Sequence, residues 1–121
     1  RFLGTRTDIG DILRAADLYV MPSLWEGLGL ALLEGMAAGL PVLASRVGGM
    51  VEVLGEGQYG YLVPANDVNA LAGQLAELLA PGVDLGPMAS AAQRRVADFS
   101  ASKMVTAIGN VYAATFASRS R

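Results

Sequence analysis

A glycine turn set between two apolar runs is the feature that most narrows what this chain can become. Leu18-Tyr19-Val20-Met21 is a continuous apolar run ended by Pro22, and Leu30, Leu33, Ala37 and Ala38 repeat at helical spacing beyond the turn. Between them Gly27 and Gly29 bare the backbone where the helix begins, with Glu26 before them and Glu34 after. The first four N–H groups of a helix have no internal partners, and the helix dipole adds partial positive charge there. Such a turn can hold phosphate or sugar oxygens through main-chain donors alone. Two acids beside it suit hydroxyls rather than charge, so the stretch points to a sugar attached to a phosphate.

The rest of the chain repeats the strand-then-helix pattern. Phe2-Leu3-Gly4 reads as the tail of a short strand, and Asp8 as the cap of a helix carrying Ile9, Ile12, Leu13 and Ala16. Leu18 to Met21 has the signature of a strand covered on both faces. Gly39 and Pro41 close the helix after the glycine turn. Val42 to Ser45 is a second buried strand, followed by a loop from Arg46 to Gly49 and a short helix through Met50, Val53 and Leu54. Tyr61 to Val63 is a third strand. Asn66 or Asp67 caps a helix carrying Val68, Leu71, Leu75, Leu78 and Leu79, stopped by Pro81-Gly82. A weaker, alanine-rich helix covers 87–98. Ser100 caps a last helix over about 100–117, with Met104, Ile108, Val111, Tyr112 and Thr115 as a stripe and a polar tail at 118–121. Strands alternating with helices predict an α/β layer fold on a parallel sheet, with ligands at the carboxyl ends of its strands.

Composition excludes several classes. The chain has 121 residues, one domain at most, and is 53% apolar and 17% charged, far from the disordered range. A net charge of −2 with Lys103 as the single lysine gives no basic stripe for nucleic acid. With neither cysteine nor histidine, disulfides, thiolate metal sites and an ordinary zinc site are all excluded. The apolar window 27–44 holds Glu34, Pro41 and four glycines, which argues for a broken, buried α/β segment against a membrane span. A start at Arg1-Phe2-Leu3 without Met predicts a piece of a longer chain.

An ordered set of residues carries a more specific resemblance. Phe2-Leu3-Gly4-Thr5-Arg6-Thr7-Asp8, Ala15-Ala16-Asp17, Pro22-Ser23, Glu26-Gly27-x-Gly29-Leu30, Glu34-Gly35-Met36-Ala37-Ala38-Gly39-x-Pro41-Val42, Gly48-Gly49, Gly60-Tyr61-Leu62-Val63-Pro64 and Phe99-Ser100 occur in order. Together they resemble the C-terminal, nucleotide-sugar half of the retaining glycosyltransferases of family four, the group 1 family. The resemblance implies an α/β fold with a Rossmann-like parallel sheet and flanking helices, a partial second half of a two-domain glycosyltransferase B-type fold. Residues 1–121 would form one partial C-terminal donor-binding domain. It implies transfer of a sugar from a nucleoside-diphosphate sugar to an acceptor hydroxyl, without cofactor or metal, in carbohydrate biosynthesis. The setting would be cytoplasmic, peripheral to a membrane in the full-length protein at most. Glu26 matches the family glutamate that contacts the transferred sugar. Glu34 matches the one that accepts hydrogen bonds from the ribose. Gly27, Leu28, Gly29 and Leu30 match the turn whose amides meet the donor, and Arg6 stands where a side chain flanks the base.

The departures are Leu28 for a frequent Phe, Gly35 for Ala and Val51 for Pro. More consequential, the family's phosphate-binding Arg and Lys and its acceptor-binding N-terminal half lie upstream of Arg1. Residues 1–60 hold four arginines against seven acids, a net −3, so no basic clamp faces a diphosphate. The isolated piece is therefore expected to bind donor weakly and turn nothing over, and to self-associate through an open edge on the strand at 18–21. Two other functions share the scaffold: a nucleotide-sugar isomerase or epimerase, and a non-catalytic nucleotide-binding or assembly module. A two-carboxylate hydrolase is disfavoured by the glycine turn. A dinucleotide fingerprint fails because Leu32 occupies the third glycine's place.

Overall fold

The computed structural model describes residues 1–119. Three strands, β1 (Tyr19–Met21), β2 (Val42–Ser45) and β3 (Tyr61–Val63), form a parallel sheet in the order β1-β2-β3. Tyr19 stands opposite Val42 and Met21 opposite Ala44, while Leu43 pairs with Tyr61 and Ser45 with Val63. Helices α1 (Ile9–Arg14), α2 (Leu30–Ala37), α3 (Gly48–Val53), α4 (Val68–Leu78), α5 (Gly86–Val96) and α6 (Ala101–Arg119) complete the described chain. The polar tail expected over 118–121 begins inside α6, and its residues 120–121 lie outside the described residues.

The sheet is covered unequally. β2 is central and buried at all four positions, which is what its unbroken apolar run requires. Its residues alternate between two cores. Val42 and Ala44 join Leu32 and Met36 of α2, Met50 and Val53 of α3, Leu54 just after α3, and Ala92 of α5. Leu43 faces the other way, with Val63 and Leu78, against the half-buried Val20, Leu71 and Leu75. Side chains such as Leu32, Met36 and Leu43 lose all solvent contact, a burial worth about 1.5–3 kcal/mol each.

Three expectations need correction. Phe2-Leu3-Gly4 is not a strand: it pairs with nothing in the sheet, and Phe2 is fully exposed. Three residues cannot hold a strand without a neighbour to take up their backbone N–H and C=O groups. The run at 18–21 forms β1, but it is an edge strand whose three residues are only half-buried, so the two-sided cover inferred from its apolarity is incomplete. Asp8 occupies the N-cap position of α1 but makes no side-chain cap, because both of its oxygens are taken by the Arg6 guanidinium.

The other punctuation lies close to where the turn chemistry puts it. Asp67 Oδ1 accepts the Ala70 N–H at 2.9 Å and caps α4, Gly39 follows α2 with φ 82°, and the Lys103 N–H reaches Ser100 Oγ at 3.4 Å. Helix α6 leaves the body after the short 3₁₀ turn Ala97–Phe99. Every side chain described along α6 is exposed, Met104, Ile108, Val111 and Tyr112 included.

Candidate functional site

The glycine turn joins the carboxyl end of β1 to α2. Gly29 caps that helix in the left-handed region, φ 75° and ψ 56°, and its carbonyl accepts the Leu33 N–H at 3.1 Å. No side chain caps α2, so the amides at 30, 31 and 32 have no partner among the described residues. Glu26 is half-buried at the entrance to the turn, where its Oε1 accepts the N–H of Gly27 at 3.1 Å. The space beside Gly27 is open. A Cβ built there meets nothing within 4 Å.

The expected loop over Arg46 to Gly49 is shorter than that, since α3 already begins at Gly48, and this helix start is pressed against the glycine turn from the inside. A Cβ on Gly48 would lie 2.3 Å from the Glu26 carbonyl oxygen, and one on Gly49 1.7 Å from that of Gly27. The Gly49 N–H donates to the Glu26 carbonyl at 3.4 Å. Two chain segments thus touch backbone to backbone, which only glycine permits, and the position of Glu26 is set by that contact. The paired glycines are plain in the sequence; that their neighbour is the peptide of Glu26 and Gly27 is not.

Glu34 sits one turn along α2 from Leu30 and is exposed. It opens onto a groove of about 540 Å³ between α1 and α2, lined also by Ile9, Gly10, Leu13, Arg14 and Ala38. Glu26 does not line that groove. The Tyr19 phenol is pushed above its ordinary pKa, first by burial and then by the negative charge of Glu34. The Tyr19 ring lies over Gly35, where a Cβ would come 2.7 Å from Cγ. This explains the glycine at 35: the ring fills the space an alanine methyl would need.

Arg6 stands apart from the turn, in an exposed loop with Thr5, Thr7 and Asp8. Its Nε donates to Asp8 Oδ1 at 2.7 Å. That bond holds the Asp8 carboxyl below its usual range and raises the guanidinium. Arg14 pairs with Asp11, and Arg46 with Glu56 at 2.8 Å. The structure therefore brings together Glu26, Gly27, Leu28, Gly29 and Leu30, sets Glu34 on the same helix toward α1, and leaves Arg6 on a separate loop held by its own acid. No group of His, Cys, Asp or Glu suited to a metal occurs among the described residues. No described helix is long and apolar enough to cross a membrane.

A parallel sheet with flanking helices, one of which starts at an uncapped glycine turn at a strand's carboxyl end, makes a Rossmann-like domain open to an anionic ligand there. The sequence pattern of the glycosyl transferases group 1 matches residues 1–81, and the chain belongs to that family. It is 39% identical over 105 residues, 87% of its length, to the D-inositol 3-phosphate glycosyltransferase of Thermobispora bispora, of which it spans 24%. Among solved structures it resembles Anabaena Alr3699/HepE in complex with UDP-glucose, with a TM-score of 0.82 and 28% identity over 94% of this chain and 32% of that one. It also resembles the C-terminal domain of the group 1 glycosyl transferase LpcC from Francisella tularensis, with a TM-score of 0.67 and 29% identity over 80% of this chain and 50% of that one. The region represented is thus the C-terminal domain of the group 1 enzymes, with the α/β fold that the ordered residues imply.

Proposed function

We propose that this chain supplies the donor-binding side of a retaining glycosyltransferase, which moves a sugar from a nucleoside-diphosphate sugar to an acceptor hydroxyl. The observation that carries this reading is the start of α2: three uncapped amides, open space at Gly27, and a glutamate on either side. The amides of the turn Gly27–Leu30 receive sugar and phosphate oxygens, that of Gly27 once Glu26 Oε1 turns from it to the sugar. Glu34 accepts hydrogen bonds from the ribose hydroxyls in the groove beside α1. Glu26, its backbone pinned by Gly49, faces the transferred sugar and stabilises positive character at the anomeric carbon. Arg6 flanks the base once it is released from Asp8. The UDP-glucose held by the HepE relative supports a donor of this class.

In the reaction, the bond from the anomeric carbon to the diphosphate oxygen breaks, and its electron pair leaves with the diphosphate. The acceptor oxygen bonds to that carbon on the same face, and its proton passes to the departing phosphate. The acceptor comes from the N-terminal half and the basic clamp for the diphosphate from the family's glycine loop in the upstream part of this same domain, since Arg6, Arg14 and Arg46 are each paired with an acid here. The 121-residue chain alone is expected to bind donor weakly and to be inactive.

Joined to the upstream sequence of a related enzyme, Glu26→Gln should lower turnover by roughly 10²-fold or more. Glu34→Gln should weaken donor binding roughly tenfold or more through loss of charged hydrogen bonds. If neither quantity moves, the chain is a binding or assembly module and the transferase reading fails. Consumption of nucleotide sugar with no acceptor present would instead favour an isomerase. The free edge of β1 supports self-association of the isolated chain, and a monomer by light scattering at high concentration would count against it.

A further inference from the structure

A second concavity lies at the same end of the sheet, on the α4 side. It holds about 160 Å³, room for several waters or one small ligand group, between Pro22 beyond β1, Val63 and Pro64 at the end of β3, and Leu71 of α4. Ser45, the last residue of β2, lines it and is 3% exposed. The Ser45 hydroxyl makes no hydrogen bond among the described residues, and since no fully enclosed side-chain oxygen there lacks a partner, it keeps an accessible face although the residue is almost wholly buried. It opens into the concavity.

The start of α4 supplies the other polar groups. Asp67 Oδ1 is committed to the Ala70 N–H and the Asp67 carbonyl to the Leu71 N–H, leaving Oδ2 and the amides of Val68 and Asn69 without partners. The rim thus offers the free Asp67 oxygen as an acceptor, the Val68 amide as a donor, and the Asn66 side-chain amide and a serine that can do either. No cationic side chain lines the space, so an anion would meet the Asp67 carboxylate unscreened. One carboxylate is too few for a divalent cation.

We propose that this concavity binds a neutral polyhydroxylated group, a sugar ring or its hydroxymethyl arm, with Ser45 as the inner hydrogen-bonding partner and Asp67 as the outer one. Hydroxyls both donate and accept, which matches this mixed set, and the Pro22 and Leu71 walls suit the apolar face of a ring. The site does not depend on the donor reading, since the two concavities share no lining residue.

Amide shifts of the ¹⁵N-labelled 121-residue chain, titrated with glucose and separately with inorganic phosphate, test it. Glucose should give saturable shifts at Ser45, Asp67, Val68 and Asn69, and phosphate should leave them in place. Ser45→Ala should weaken the glucose response roughly three- to tenfold, the effect of one lost hydrogen bond. Should that variant lose its dispersed spectrum, Asp67→Asn keeps an N-cap and must weaken the response as well. The absence of saturable glucose shifts, an unchanged response in the variant that folds, or a stronger response to phosphate overturns the proposal. Shifts at 27–30 on adding UDP-glucose report the donor reading separately in the same spectra.

Discussion

Gly27 and Gly49 touch each other, yet they are glycine for opposite reasons. At Gly49 the missing side chain points inward, where a methyl would overlap the Gly27 carbonyl at 1.7 Å. At Gly27 the carbonyl faces that inner contact, while the missing side chain faces open space with nothing within 4 Å. Its φ also lies outside the left-handed region that favours glycine. Packing therefore explains one glycine and leaves the other without an internal reason. A bare backbone with no internal reason, next to uncapped amides, is what a ligand-facing position looks like.

Substitutions along this seam should sort by that distinction. Gly49→Ala should have the largest effect, roughly 3 kcal/mol or more, because both contacting groups are backbone and neither can swing aside. Chemical denaturation would measure it. A loss under about 1 kcal/mol would mean that the two segments separate easily and that Glu26 is not fixed by them. Gly35→Ala comes next, at about 1–3 kcal/mol, since the new methyl meets the Tyr19 ring. There the obstacle is a side chain, so a cycle with Tyr19→Ala should remove the penalty and let the better helix former gain up to ~1 kcal/mol. A cost that survived removal of the ring would place the strain elsewhere.

Much of this architecture is legible in the residues themselves. Val42 to Ser45 announces a central strand because no polar residue interrupts it before the end, and Asp67 and Gly39 mark helix ends through local chemistry alone. Glu26, Gly27 and Gly29 can be singled out because the turn is contiguous in sequence. What cannot be read is whatever depends on a distant partner. Apolarity at 18–21 says that β1 seeks cover, not that it will stand at the sheet's edge with β2 as its one paired strand among the described residues. Gly35 looks like a weak point in a helix until the Tyr19 ring, sixteen positions earlier, is seen to occupy its space. Likewise Arg6 is legible as a cation but not as one already held by Asp8.

Gly29→Ala falls lower in the order. It places a side-chain-bearing residue at φ 75°, which costs of the order of 1–2 kcal/mol, and it crowds the Met50 sulfur at 3.1 Å. Met50 is long and can shift, so the backbone term should dominate. Gly29→Asn, which tolerates that conformation better, should therefore recover part of the loss in thermal denaturation. If asparagine proved no better than alanine, contact with Met50 and not φ would control the position.

Gly27→Ala should be the mildest for stability, within about 0.5 kcal/mol, because the methyl enters empty space. The same methyl would stand in the open space beside the turn, where the proposed donor must approach. Stability and affinity should then separate: an unchanged denaturation midpoint beside weakened binding of UDP-glucose, compared by titration of the two chains. The opposite pattern, lost stability with binding intact, would give Gly27 an internal role like that of Gly49. No asymmetry between the inner and outer faces of the turn would remain, and the open space at Gly27 would no longer point to a ligand.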